Sequence, residues 1–460
     1  MPEHDPYDAL ARYPLLDALR DRRSRRFGLG MEIGGPLAHK SAAKGVRLTE
    51  DEQALLAFAA CGITGPALGD LEYQPGGGGT IMAGMAGRTV ASGDAIQTVS
   101  VFVLDADAVW LLKRPRDFAP EEIPELVGLE RRGRFTELYR RSRVEVRAGA
   151  PRASLEPLVN LAVNRWSLYD PAGTYFLPVN DLTLLYINGV LEILDQPTCA
   201  FIVDERRGFR PAGLGRFAAS KGGHLLDDPR HERAVTIQQL ETLVTEFVTL
   251  EQGMVLQNLG LMAQAIGLGG FPHWAAHPFG WFQALGFRME RMPASRYLGM
   301  GRVLALLARL LRRDPPVSVG VGLERDGAPL LMPFRPPHYP TMADAVRAVV
   351  DLKFGPAGVF RGGVRHAAWS EPDRVAAAAR EPSRQAIEAT IAYCEYVHGR
   401  YGRFPAYQPP FRTVVGFQAS HVDPEFYDRR YQPGALSPTQ REHMERWHGA
   451  RTGGEAHDPK

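Results

Sequence analysis

The sequence predicts an α+β protein. Two hairpin signals (residues 98–112 and 317–333), one long helical run over 234–266, and several shorter amphipathic helices between them carry that expectation. The organising stretch is the end of the long helix, TLEQGMVLQNLGLMAQAIGLGGFPH (249–273). Met254, Leu256, Leu259, Leu261, Met262 and Ile266 recur at roughly helical spacing, and Gly267, Gly269 and Gly270 end the run. A helix apolar on most sides belongs in a core. Glycines after it let the backbone turn sharply and come close to a neighbour.

Composition bounds the function classes. The 460 residues suffice for a substantial core, as one elaborated domain or two. Apolar residues are 45% and charged residues 23%, the balance of a soluble globular chain. A net charge of +2 argues against a surface that coats nucleic acid. Cys61, Cys199 and Cys394 are far apart, which excludes a disulfide framework and a cysteine zinc site and suits a reducing compartment. The N-terminus, MPEHDPYDALARYP, has no signal-peptide pattern, and no apolar run of about 18 residues suggests a membrane span. A cytoplasmic location is the expectation.

Taken in order, residues 7–27 read as a helix running into the basic patch Arg22, Arg23, Ser24, Arg25, Arg26. Four arginines in five positions are expected outside the core. Thr49 and Glu52 form a capping-box pattern that starts a helix ending at Gly62. Gly76–Gly79 read as a flexible loop tip. The first hairpin turns at Asp105-Ala106-Asp107. Residues 119–195 read as a mainly helical inserted block, followed by a strand over 199–203 and a polar loop over 224–233. The helix over 234–266 carries a candidate break near Glu251–Gly253. Residues 294–313 read as one amphipathic helix with an arginine face, whose plain reading is a solvated outer face. Asp326-Gly327 is the turn signal of the second hairpin. A helix is expected around 383–397, and the last ten residues are expected to be disordered.

Several residues carry chemistry by type. Clustered arginines and a serine supply the forked donors that a phosphate monoester needs, although a solvated basic helix end is the plainer reading. The loop Gly87-Arg88-Thr89-Val90-Ala91-Ser92-Gly93-Asp94-Ala95 precedes a strand, so its amides can face a ligand. GLGMEIG (28–34) lacks the spacing and the preceding strand of a dinucleotide fingerprint. His273, just past the glycines, is a candidate proton donor, and Lys221 in AASKGGHLL is a candidate substrate-facing residue. Tyr169, Asn180 and Asn188 are candidates for a lid. His421-Val-Asp423 with His443 and His448 has ligand chemistry, but a surface position in a mobile tail is the plainer reading, and no metal site is expected.

The order RRSRRF, LTEDEQALLAFAACGITG, RTVASGDA before a strand, then EQGMVLQNLGLMAQAIGLGGFP resembles the flavin-dependent nitroreductase family. Its thiazoline/oxazoline dehydrogenase-like branch is the nearest in pattern, over residues 20–112 and 198–290. The family often has Pro before the loop serine and Asn or Leu shortly after; here Ala91 and Asp94 stand instead. The resemblance implies a nitroreductase-like fold, with a central, mostly antiparallel sheet flanked by helices, in a homodimer with FMN at the interface. It further implies Arg22 and Ser24 at the FMN phosphate, Arg26 nearer the ring, and Ser92 and Asp94 beside the ring. Gly269, Gly270 and Phe271 would pass near flavin N5, and Arg335 would complete the phosphate site. Gln257 and Asn258 match the family's helix and are expected to be structural.

These expectations divide the chain into 1–118 and 196–335 as the two parts of the nitroreductase-like domain. Residues 119–195 become a helical insertion, 336–450 a C-terminal extension and 451–460 a tail. The implied function is an FMN-dependent oxidoreductase moving a hydride between flavin and a small organic or peptide-derived substrate, with NAD(P)H a candidate donor. Two rivals stand beside it: a flavin-storing protein of the same fold, and a metal-dependent hydrolase built on the C-terminal histidines.

Overall fold

The computed structural model describes residues 6–69, 80–149, 166, 170, 172–228, 234–273 and 278–449. Gly76–Gly79, Tyr169, most of the helix expected over 155–166, part of the loop 224–233 and the tail 451–460 lie outside them. The strands that matter here are β1 (Val99–Leu104), β2 (Ala108–Leu112), β3 (Arg143–Ala148), β4 (Thr174–Asp181), β5 (Gly269–His273), β6 (Arg288–Pro293), β7 (Pro316–Arg325), β8 (Ala328–Leu331), β9 (Phe411–Arg412) and β10 (Gly416–Ser420). The helices that matter here are α1 (Leu15–Asp21), α2 (Glu50–Cys61), α3 (Leu182–Ile193), α4 (Ile237–Ile266), α5 (Arg302–Leu310), α6 (Met342–Phe354), α7 (Arg384–Tyr401) and α8 (Pro438–His448).

A central sheet in the order β5-β10-β4-β1-β2-β3, with β9 also on β4, is antiparallel at every pairing. Alternation along β1 explains why it has helices on one side and a second sheet on the other. Val99, Val101 and Val103 meet α2 and the C-terminal half of α4. Phe102 and Leu104 face Trp281, Phe282, Phe287 and the antiparallel sheet β6-β7-β8. A third core gathers α3, α6 and α7 around the N-terminal half of α4. The expected α+β class with a central antiparallel sheet and flanking helices is therefore present.

Local signals act as expected at several points. Thr49 and Glu52 cap α2 reciprocally, and Gly267 ends α4 at a φ of 88°. Asp326 and Gly327, at φ of 52° and 78°, make the β7–β8 turn. Pro14 divides the first expected helix, so that α1 begins at Leu15.

Four expectations are corrected. Residues 119–195 are not an insertion beside the sheet, because β4 sits between β1 and β10 at its centre. Residues 336–450 are not outside it either, since β10 fills the slot between β4 and β5. The helix α4 is unbroken: Glu251 accepts from Thr98 Oγ1 and from the Val99 amide (3.1 Å), and Gln252 donates to the Arg412 carbonyl (3.0 Å). These buried polar residues tie the helix to the strands instead of ending it. Residues 294–313 form a short helix at 294–297 and then α5, separated around Gly299 and Gly301, and Val303, Leu304 and Leu310 on α5 are exposed. Among the described residues, no helix is long and apolar enough to cross a membrane.

Candidate functional site

Segment 22–27 leaves α1 and crosses the C-terminal end of α4. The expectation that its arginines lie outside the core fails at Arg25, which is 3% exposed. Its Nη1 donates to Gln264 Oε1 and its Nε to the Ala435 carbonyl, each at 2.8 Å. Those partners explain how the charge is tolerated there. Arg22 lies beside Gly260, and Ser24 is exposed. Arg26 turns toward β5, its guanidinium carbon 4.5 Å from the Phe271 ring centre and 4.9 Å from that of Trp166.

His273 closes β5 beside this arginine. Its ring centre is 4.8 Å from that of Phe271 and 6.5 Å from that of Tyr175. It is 8% exposed, and neither ring nitrogen has a hydrogen-bond partner among the described residues. Burial, with Arg26 adding to it, lowers the His273 pKa to about 4. The imidazole is therefore neutral near pH 7. It can donate or accept one hydrogen bond at each nitrogen, but it does not hold the spare proton that the sequence reading gave it.

Gly269 and Gly270 have a packing role. A side chain at Gly269 would meet the Arg25 carbonyl and Val422 at 2.8 Å, and one at Gly270 would meet the Phe417 ring at 2.4 Å. Their lack of a Cβ lets β5 lie against segment 22–27 and β10. It does not open a cradle.

The loop with Ser92 and Asp94 reaches α4 elsewhere. Gly93 lies beside Phe247, and Ser92 Oγ accepts from the Gln97 amide at 2.7 Å. Thirteen residues separate Glu251, which holds the end of this loop at Val99, from Gln264, which holds Arg25; at 1.5 Å per residue that is about 20 Å. Within one chain the two groups of candidates do not converge. Ser92 and Asp94 line a cavity of about 600 Å³ with Thr80, Arg88, Gln97 and Glu192. A second cavity of about 660 Å³, on the other side of Ala86, Ala95 and Gln97, is lined by Arg114, Arg116 and Arg365. Both are of a size that takes a cofactor-sized ligand.

Comparison with known proteins adds little. No protein-family model matches this chain, and no curated protein does. Among solved structures the chain is similar to a protein of Ralstonia eutropha JMP134 described as a "putative nitroreductase". The two share 13% identity over 60% of this chain and 76% of the other, with a TM-score of 0.27. At that score the superposition carries no argument about fold or function. The site is read from this chain's own residues.

The other candidates lie apart. Arg335 is buried with Glu290, 3.8 Å away, and its pKa is lowered by burial, with Arg403 also near. Lys221 ends a short turn and is exposed. Asn180 and Asn188 are fully buried and form no lid: Asn180 donates to Thr98 Oγ1 at 2.7 Å, and Asn188 to Asp94 Oδ2 at 3.2 Å. Asn258 donates to the Thr89 carbonyl at 2.9 Å, a structural role as expected.

Sequence reading missed Lys353. Its side chain is fully buried, and Nζ donates to Glu192 Oε1 at 2.6 Å, to Asn188 Oδ1 at 3.0 Å and to the Thr80 carbonyl. Burial pushes the neighbouring Asp94 carboxyl up to about 6, while Asn188 and Lys353 oppose that shift. A lysine on an otherwise apolar helix face was the available signal. The surface reading of the C-terminal histidines is also corrected, because His421 and His443 are each 2% exposed.

Proposed function

We propose that the chain is an FMN-dependent oxidoreductase of the nitroreductase type, acting as a homodimer on a small organic or peptide-derived substrate. The observation that carries this reading is the buried His273 at the end of β5 beside the half-buried Arg26, with both histidine nitrogens unpartnered among the described residues. Such groups fit the polar edge of a planar ligand, which presents acceptors and a ring N–H. Bound FMN would supply reversible hydride chemistry, and the protein supplies binding, orientation and electrostatics. Arg26, held between two aromatic rings, would place fixed positive charge beside the ring edge. Neutral His273 would offer a hydrogen bond. Ser92 and Asp94 would line the cavity side.

An exposed apolar stripe beside the Ser92–Asp94 loop supports a site that a second copy helps to cover. Leu243, Phe247 and Leu250, at i, i+4 and i+7 on α4, are 50%, 47% and 63% exposed. Phe247, in the middle of this apolar stripe, lies beside Gly93, next to Ser92 and Asp94. Packing it against a second copy would bury the stripe and set the partner against the Ser92–Asp94 loop.

An absorption spectrum of the purified protein tests the reading. Flavin bands, or their appearance when FMN is added and excess removed, are expected. A colourless protein that takes up no FMN would overturn it. Bound flavin that NAD(P)H and candidate substrates all leave oxidised would make the chain a flavin-holding protein instead of an enzyme.

A further inference from the structure

We propose that Glu52, His421, His443 and His448 form a closed, four-ligand zinc site that fastens the C-terminal helix α8 to the start of α2. The site is independent of the flavin reading. One ligand atom from each of the four residues lies within 4.8 Å of all the others. Glu52 Oε1 is 3.1 Å from His421 Nε2, 2.8 Å from His443 Nε2 and 3.1 Å from His448 Nε2. The His421 and His448 Nε2 atoms are 3.2 Å apart. Tetrahedral zinc with bonds of about 2.0–2.1 Å spaces its ligand atoms by roughly 3.3–3.4 Å, close to these separations.

The surroundings prepare the rings for a metal. His421 Nδ1 is 2.9 Å from the Val46 carbonyl, and His443 Nδ1 is 2.6 Å from the Ile266 carbonyl. A carbonyl only accepts, so Nδ1 carries a hydrogen in each ring, which leaves Nε2 as the ligand atom that faces the centre. Glu52 is oriented by the capping box: Oε2 accepts the Thr49 amide at 2.6 Å, which leaves Oε1 for the histidines. His443 Nε2 is buried and has no hydrogen-bond partner among the described residues, although Glu52 Oε1 is 2.8 Å away. A proton on one ring can satisfy one contact with the carboxylate, whereas three rings converge on it. A divalent cation meets all four lone pairs together.

Imidazole and carboxylate ligands suit zinc, and four protein ligands leave no open position. Glu52, His421 and His443 have side chains at most 2% exposed, and His448 16%. A closed, buried site is structural, which argues against the hydrolase built on these histidines. Asp423 is not a fifth ligand, because it caps the helix Pro424–Arg430 through the Phe426 amide.

The test uses tag-free, full-length protein purified without chelator and incubated with zinc, then passed through a desalting column. Elemental analysis should find about one zinc per chain in the wild type, with roughly tenfold less or lower in Glu52→Gln and His443→Gln. His448→Gln changes the most accessible ligand; it should stay folded by circular dichroism and still lose zinc. Cobalt in place of zinc should give the intense visible bands of a four-coordinate site. Chelation should lower the melting temperature by several degrees and added zinc restore it, because only the native fold gathers these ligands. Wild-type protein that holds neither metal, or a folded His448→Gln that holds as much as the wild type, would overturn the site. A melting temperature unmoved by chelation would overturn the fastening role.

Discussion

The guanidinium of Arg26 lies over the Phe271 ring, its carbon 4.5 Å from the ring centre, with His273 two residues further along the same strand. A charge held in this way has little freedom and a fixed direction. If it faces bound FMN, Arg26→Ala should weaken FMN retention by about 1.5–3 kcal/mol, or roughly 10- to 150-fold in dissociation constant. Arg26→Lys should recover part of that loss, since it keeps the charge without the planar stacking. Equilibrium dialysis with FMN measures both. Equal affinity in all three proteins would remove Arg26 from the site.

His273 gives a pH signature. Its folded pKa of about 4 lies below the ordinary histidine value of 6.5. Between those pH values the unfolded chain takes up a proton that the native state refuses. Stability present above pH 6.5 should therefore fall as pH drops toward 4, by a total on the order of 3 kcal/mol. His273→Phe should flatten this part of the profile. Urea midpoints for both proteins at pH 7 and pH 5 check it, and parallel profiles would refute the assignment.

Lys353 is the cation of a buried group that includes Glu192, Asn188 and Asp94. Lys353→Met should destabilise the fold by about 3–5 kcal/mol, because it leaves the Glu192 carboxylate without its partner. Adding Glu192→Met should restore part of that loss. Chemical denaturation of the two single variants and the double variant gives the coupling; simple additivity would show that the pair does not interact.

The exposed stripe on α4 makes an assembly prediction. Phe247→Glu should convert a dimer to a monomer and release FMN in the same step, because both depend on the facing copy. Light scattering after gel filtration, read with the flavin absorbance, checks this. A wild-type monomer that binds FMN fully would remove the shared site.

What the sequence made legible was local. The Thr49–Glu52 box, the two hairpin turns and the Gly267 stop each depend on residues a few positions apart. The central strands β4 and β10 were not legible, because they are buried along their whole length and lack the short hairpin turn that marks the equally buried β1. A strand covered on both faces loses the polar–apolar alternation that identifies it. The same limit hid the second duty of Glu52. Its capping role is visible three residues away, whereas His421 and His448 stand 369 and 396 residues further on. Arg25 and Lys353 were obscured for a related reason: each is made tolerable in the core by distant partners.

Strand β10 also has a consequence for how the molecule is made. Residues 416–420 fill the slot between β4 and β5, so the sheet stays open until synthesis has passed residue 420. Before then, the edges of β4 and β5 carry unpaired amides and carbonyls beside apolar side chains, a surface prone to intermolecular pairing. A nascent or truncated chain that stops before residue 416 should therefore depend on chaperones and aggregate without them. Strand β10 acts as the closing wedge of a sheet whose other strands wait for it.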